Sequence, residues 1–122
     1  MGWYEILKLG RAFGVSEPQL MIMCVVSYHV PMQRDRFASW VLKEFDHLEH
    51  SQTQADLDQA IDECTRNGWL RVLTTDNIRR KPPYYSTYLR YFPSSAGLLD
   101  WTKRGNLLAK KIFGEGSVQQ GA

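Results

Sequence analysis

Apolar side chains recur at helical spacing in the stretch from Gln54 to Thr74, and this pattern predicts its local structure. Leu57, Ala60, Ile61 and Cys64 follow the i, i+3, i+4, i+7 spacing of one helix face. The outward face of the same helix carries Asp58, Asp62 and Arg66. Because Gly68 tolerates the left-handed backbone that ends many helices, we expect the helix to stop there. Residues 69–74 are then predicted to form a short strand.

Three helices are predicted ahead of this stretch. An amphipathic helix over residues 1–13 has Trp3, Ile6, Leu7 and Gly10 at helical spacing. A nearly continuous apolar run over residues 20–29 indicates a buried central helix. Ser16 and Gln19 can form a capping box at its start, and the helix is expected to end before Pro31. A third amphipathic helix is predicted over residues 34–48. Its apolar face is formed by Phe37, Trp40, Val41, Phe45 and Leu48.

The C-terminal half is predicted to form a β-hairpin and a closing helix. Residues 84–92 are rich in aromatic and β-branched side chains and are expected to pair with the strand at 69–74. Residues 93–97 form an insert that breaks this pattern, and residues 98–101 are a candidate for another short strand. Thr102 is the expected cap of a closing helix whose apolar residues are Leu107, Leu108, Ile112 and Phe113.

The chain of 122 residues suits one domain, which we place at residues 1–114, with a disordered tail at 115–122. It has no apolar run of about 18 residues and no secretory leader pattern, so we expect no membrane span and a cytoplasmic location. Cys24 and Cys64 lie among apolar helical neighbours and are expected to act as small hydrophobic side chains.

The predicted element order is α+β and resembles that of winged-helix proteins. Two local matches carry the resemblance. Leu57 to Trp69-Leu70 is similar to the end of the recognition helix in PadR-like and MarR-like regulators, and Leu99-Asp-Trp-Thr102-Lys-Arg-Gly105 is similar to the entry of the helix that follows their wing. The resemblance implies a three-helix core, a β-hairpin wing and extra N- and C-terminal helices. It also implies a DNA-binding transcriptional regulator that forms a homodimer through its terminal helices.

In that interpretation the two halves of the interface contribute different side chains. Gln52, Gln54 and Gln59 of the predicted recognition helix are the groups able to contact bases, and Arg79, Arg80, Lys81 and Arg90 of the wing would contact phosphates. Tyrosines 84, 85, 88 and 91 lie among these basic residues, which also suits single-stranded nucleic acid or RNA. The same pattern also fits a hairpin that binds no nucleic acid, in which the tyrosines pack in the core and the arginines are solvated.

The charge of the predicted recognition helix favours a competing hypothesis. Between Ser51 and Asn67 one arginine stands against four acidic residues, a net charge of −3. Such a face repels DNA phosphates. The alternative is a protein-interaction module that does not bind nucleic acid and binds a basic protein partner through Asp58, Asp62 and Glu63.

No enzyme class is indicated. The chain has no Gly-x-Ser-x-Gly elbow, phosphate-binding loop or dinucleotide fingerprint, so no catalytic residue or cofactor is predicted. His47 and His50 are three residues apart, as metal ligands on one helix face would be, but no further histidine or cysteine is near them in sequence. We therefore predict no metal site.

Overall fold

The computed structural model describes residues 2–28, 32–46, 52–74 and 97–114. Within these ranges the chain is an α+β protein of five helices and three short strands. The elements in order are α1 (Trp3–Ala12), α2 (Glu17–Tyr28), β1 (Met32–Gln33), α3 (Arg34–Glu44), α4 (Gln54–Arg66), β2 (Leu70–Leu73), β3 (Leu98–Trp101) and α5 (Lys103–Phe113). No helix in these ranges is both long enough and apolar enough to cross a membrane.

The three strands form one antiparallel sheet with β3 in the middle, in the order β1-β3-β2. Leu70 pairs with Trp101 and Leu73 pairs with Leu98 across β2 and β3. Strand β1 pairs with the first two residues of β3 on the other side. The prediction of a strand at residues 98–101 is confirmed, whereas β1 is too short to leave a periodic signal and was not predicted. The predicted strand at residues 84–92 lies outside the described residues.

Helix α2 occupies the centre of the core. It contacts α1, α3, α4 and β3, and residues Leu20, Ile22, Met23, Val25 and Val26 are fully enclosed. A helix with apolar residues all around is stable only when neighbours cover every face. The predicted capping box is present at its start, because the Ser16 backbone N–H donates to Gln19 Oε1 at 3.0 Å.

Helix α4 has a capping motif at each end, and the predicted stop at Gly68 is confirmed. Thr53 and Asp56 form a reciprocal capping box at its start. At its end Gly68 has a φ of +75°, and the N–H of Trp69 donates to the carbonyl of Cys64 at 3.0 Å. This is a Schellman motif, which requires the left-handed residue that glycine supplies. The four predicted face residues, Leu57, Ala60, Ile61 and Cys64, are all buried.

The segment that follows α4 and the start of α5 are held together by hydrogen bonds. The Thr102 hydroxyl donates to the carbonyls of Gly68 and Trp69 at 2.5 and 3.1 Å, and it accepts from the N–H of Gly105 at 2.9 Å. A Cβ built on Gly105 would lie 1.8 Å from the Trp69 carbonyl oxygen. The two sequence matches therefore pack against each other, and only glycine fits at position 105.

Three predictions of local structure need correction. Helix α3 ends at Glu44, before the predicted end at residue 48, and the remainder of that prediction lies partly outside the described residues. Trp40 was placed on the apolar face of α3 but is 40 % exposed, because Phe37, Ala38 and Val41 form the buried face. Of the four apolar residues predicted for the closing helix, Ile112 is fully buried and Leu108 and Phe113 are partly buried, but Leu107 is 62 % exposed.

Candidate nucleic-acid interface

An open groove of about 670 Å³ lies beside the outward face of α4. Its lining comes from three elements: the first residue of α3, the middle and end of α4, and β2. The lining residues are Arg34, Gln59, Asp62, Thr65, Arg66 and Val72. Except for Val72, these residues carry polar groups that can hydrogen-bond to a ligand in the groove.

An ion pair between α3 and α4 changes the charge of this groove. The Arg34 guanidinium donates to the Asp62 carboxylate across its edge. Both side chains are partly solvated, so the pair contributes little to stability. It nevertheless leaves the positive charge of Arg66 uncompensated within the groove, whose lining carries two arginines and one aspartate.

Two further acidic residues of α4 have hydrogen-bond partners. The Glu63 carboxylate accepts from Gln19 of α2 at 3.3 Å. Asp56 accepts from the backbone N–H of Thr53 at 3.1 Å, and this bond, followed by the one with the Thr53 side chain, lowers the pKa of Asp56. Asp58 is exposed and has no ion-pair partner among the described residues. Hydrogen bonds from these neutral donors leave both carboxylates ionised. Among the described residues only the ion pair with Arg34 offsets a charge of α4, so the sequence count of −3 falls to −2.

The predicted base-contacting glutamines fall in different environments. Gln54 and Gln59 are exposed on α4, and Gln59 lines the groove. Gln52 is partly buried in a separate small depression of about 40 Å³, among core residues that include Phe45 and Leu57. It precedes α4 and does not line the groove, so the three glutamines are not brought to one site.

The predicted wing residues Arg79, Arg80, Lys81 and Arg90 lie outside the described residues, as do the tyrosines of that segment. His29, His47 and His50 lie outside them as well. Among the described residues no group of three or more His, Cys, Asp or Glu side chains could hold a metal ion.

The structure adds Arg34, Thr65 and Arg66 to the residues expected from the sequence. Gln59, Asp62 and Arg66 share the i, i+3, i+7 spacing of one helix face, so their grouping was detectable in the sequence. The contribution of Arg34 was not detectable, because it depends on how α3 packs across α4. The Thr65 hydroxyl donates to the carbonyl of Ile61 at 2.9 Å, which leaves its oxygen able to accept from a ligand.

Directly behind the groove, the molecule is apolar and closely packed. Cys64 is fully buried, and burial, with a smaller contribution from the charge of Glu63, raises the pKa of its thiol to about 12. Neither Cys64 nor Cys24 is in a disulfide. Cys64 therefore fits the predicted role of a small hydrophobic side chain, and Cys24 is partly buried.

Comparison of the chain with protein-family models, with curated proteins and with solved structures returned no match.

Proposed function

We propose that this chain is a winged-helix protein that binds duplex DNA through α4 and acts as a transcriptional regulator. The element order supports the proposal. Helices α2, α3 and α4 make a three-helix core, β1 lies between the first two of them, and the sheet order is β1-β3-β2. In a winged helix the last helix of the core is the recognition helix, and the segment between the following two strands is the wing.

The groove beside α4 is the observation that carries the functional part of the proposal. It places a positive charge next to hydrogen-bonding side chains on an exposed helix face. In the proposed complex Arg66 contacts phosphate, whereas Gln59 and Thr65 face base edges, Gln59 as donor or acceptor and Thr65 as acceptor. Arg34 holds Asp62 and so reduces the repulsion that this carboxylate would exert on the DNA backbone.

The segment between β2 and β3 is the proposed wing. Val72 of β2 lines the groove, so the strand leads from the groove towards this segment. The segment supplies Arg79, Arg80, Lys81 and Arg90 against the single acid Asp76. These residues would supply the phosphate contacts that α4 largely lacks, since most protein–DNA hydrogen bonds go to the backbone.

The test is fluorescence anisotropy of a labelled generic duplex titrated with the full chain at about 50 and about 200 mM salt. Each phosphate contact that is lost should lower the salt slope by about one unit. Arg66→Gln and the triple variant of Arg79, Arg80 and Lys81 to alanine should both weaken binding. Arg11→Gln on α1 removes the same charge outside the groove and is the matched control. Equal binding by Arg66→Gln and Arg11→Gln would remove the groove from the proposal.

A protein-interaction module is the second candidate. The exposed Asp58, together with Asp62 and Glu63, would bind a basic protein partner through the same face of α4. Arg34 makes this candidate weaker, because its ion pair already neutralises the Asp62 carboxylate, one of the three that a basic partner would contact. The two candidates predict opposite effects of removing the charge of Asp58.

A further inference from the structure

A second surface, separate from the groove, lies on the outside of α5. Its centre is Leu107, which is 62 % exposed in the middle of the helix. Two depressions meet at this side chain. One is lined by Phe13, Trp69, Arg104, Leu107, Leu108 and Lys111, and the other by Lys103, Asn106, Leu107 and Lys110. Neither shares a lining residue with the groove beside α4.

Four positive charges surround Leu107. Lys103 and Lys110 line the depression on one side of it, and Arg104 and Lys111 line the depression on the other. Each pair has one member about a helical turn before Leu107 and one about a turn after it. Helix α5 contains no acidic residue, and no acidic residue among the described ones lines either depression.

The surface includes a second exposed apolar group. Phe13 is 43 % exposed at the end of α1, and the Lys111 ammonium lies 5.8 Å from the centre of its ring. That distance is within the range of a cation–π contact, which holds the lysine beside the ring. Leu107 and Phe13 thus form an apolar centre with positive charges around it.

Beneath this surface, the inner face of α5 packs closely on the core. Gly105 packs directly on the Trp69 backbone, and Ala109 and Ile112 are fully buried on the same helix. Helix α5 is therefore fixed to the core, and Leu107 cannot turn inward without breaking these contacts. Leu107 lies on the side of α5 away from the core, so packing of the helix on the core does not account for an apolar side chain at this position.

Charge complementarity identifies the partner that this surface fits. An apolar centre with a charged rim is typical of protein interfaces, where a few buried anchors contribute most of the binding energy. Nucleic acid would satisfy the four charges but would leave Leu107 without a matching group. A second copy paired through α5 would bring eight like charges together around two leucines, which is unfavourable.

We propose that the α5 surface, formed by Phe13, Lys103, Arg104, Leu107, Lys110 and Lys111, binds an acidic amphipathic segment of another protein. Apolar side chains of that segment contact Leu107 and Phe13, and its carboxylates pair with the four basic residues. Arg104 contributes the planar, bidentate donor that suits carboxylates best. Because this surface does not overlap the groove, the segment and the proposed DNA ligand can bind together.

The experiment uses a fluorescein-labelled peptide in which leucines recur at i, i+3, i+4 and i+7 and glutamates fill the other positions. Its anisotropy is followed during titration with the full chain. A scrambled peptide of the same composition serves as the control for charge alone. We expect the amphipathic peptide to bind and Leu107→Ala to weaken it about tenfold, which corresponds to about 1.4 kcal/mol. Arg104→Gln should also weaken it, whereas Lys43→Gln on α3, an equal charge change outside the surface, should not.

Three outcomes would overturn the proposal. The first is equal binding of the scrambled peptide, which would leave only a charge effect. The second is displacement of the peptide by a duplex or single-stranded oligonucleotide, if Arg104→Gln also weakens the binding of that oligonucleotide. This result would assign the surface to nucleic acid. The third is a dimer in sedimentation velocity that Leu107→Asp converts to monomer, which would assign the surface to a second copy. Circular dichroism of each variant checks that it is folded.

Discussion

Replacement of Gly105 by alanine tests the contact that joins the end of α4 to the start of α5. In an unobstructed helix, a change from glycine to alanine stabilises the fold by about 0.5–1 kcal/mol, since alanine loses less backbone entropy. At position 105 the new Cβ would lie 1.8 Å from the Trp69 carbonyl oxygen and 2.6 Å from its carbonyl carbon. Both atoms are backbone and cannot rotate away, so α5 must shift from the sheet.

The expected cost can be set from the two opposing effects. Overpacking in a closely packed region typically costs about 1–3 kcal/mol and occasionally more, and a backbone clash belongs at the upper end. After subtraction of the helix gain, Gly105→Ala should lower the free energy of unfolding by about 2 kcal/mol or more. For a domain of this size that corresponds to a fall in Tm of about 8 °C.

Gly10→Ala is the matched comparison. It is the same substitution in a buried helical position, but the new Cβ would meet the end of the Leu20 side chain, at 2.4 Å from Cδ1. A side-chain end can move, so Gly10→Ala should cost clearly less than Gly105→Ala. Thermal unfolding followed by circular dichroism measures both. A Gly105→Ala protein as stable as the unmodified chain, or no less stable than Gly10→Ala, would refute the proposed packing.

Two further predictions concern buried polar groups. Because burial raises the pKa of Cys64 to about 12, its thiol should resist an aromatic disulfide reagent at pH 8 in a Cys24→Ser variant and should react once the protein is unfolded. The stabilisation that comes from burying the neutral thiol should be present below about pH 9 and be lost as the pH rises towards 12. Asp100 is fully buried and accepts from Arg71, its cross-strand partner, at 3.1 Å, so Arg71→Met should lower the free energy of unfolding by about 1.5–3 kcal/mol in urea titration; an unchanged midpoint would contradict that role.

The sequence predicted correctly those helix ends that depend on interactions between residues close together in the chain. The capping pair at Ser16 and Gln19 and the stop at Gly68 depend on short-range chemistry, and the structure has both. The buried face of α4 follows from helical spacing alone. The match at Thr102 and Gly105 was found as a sequence pattern, but its physical reason, contact with the Trp69 backbone, became visible only in the structure.

The predictions that failed depend on distant parts of the chain. Periodicity placed Trp40 and Leu107 with the apolar residues, because spacing cannot show how wide the covered part of a helix face is. Strand β1 has only two residues, and it exists because β3 offers it an edge. The carbonyl of Gly97 accepts from the N–H of Arg34, so the end of one segment helps to fix the start of α3. No local pattern encodes such a contact.

The candidate interface was predicted only in part, because it too depends on contacts between distant parts of the chain. The outward position of Asp58, Asp62 and Arg66 follows from the helix period and is confirmed. The charge that this face presents does not follow from a count over α4, because Arg34 is remote in sequence from Asp62, the carboxylate that it neutralises. The basic surface of α5 was not predicted, because helical spacing does not show that Leu107 stays exposed between the basic residues.

The sign of one charge change distinguishes the proposed binding of duplex DNA by α4 from binding of a basic protein. Asp58→Asn removes an exposed carboxylate from the proposed interface without changing the size of the side chain. If α4 contacts duplex DNA as proposed, this variant should bind a labelled duplex more tightly at about 50 mM salt, by no more than about 1 kcal/mol or fivefold, with a smaller gain at about 200 mM. No duplex binding by the folded unmodified chain, or weaker binding by Asp58→Asn, would exclude this mode of DNA binding and favour a basic protein partner on this helix.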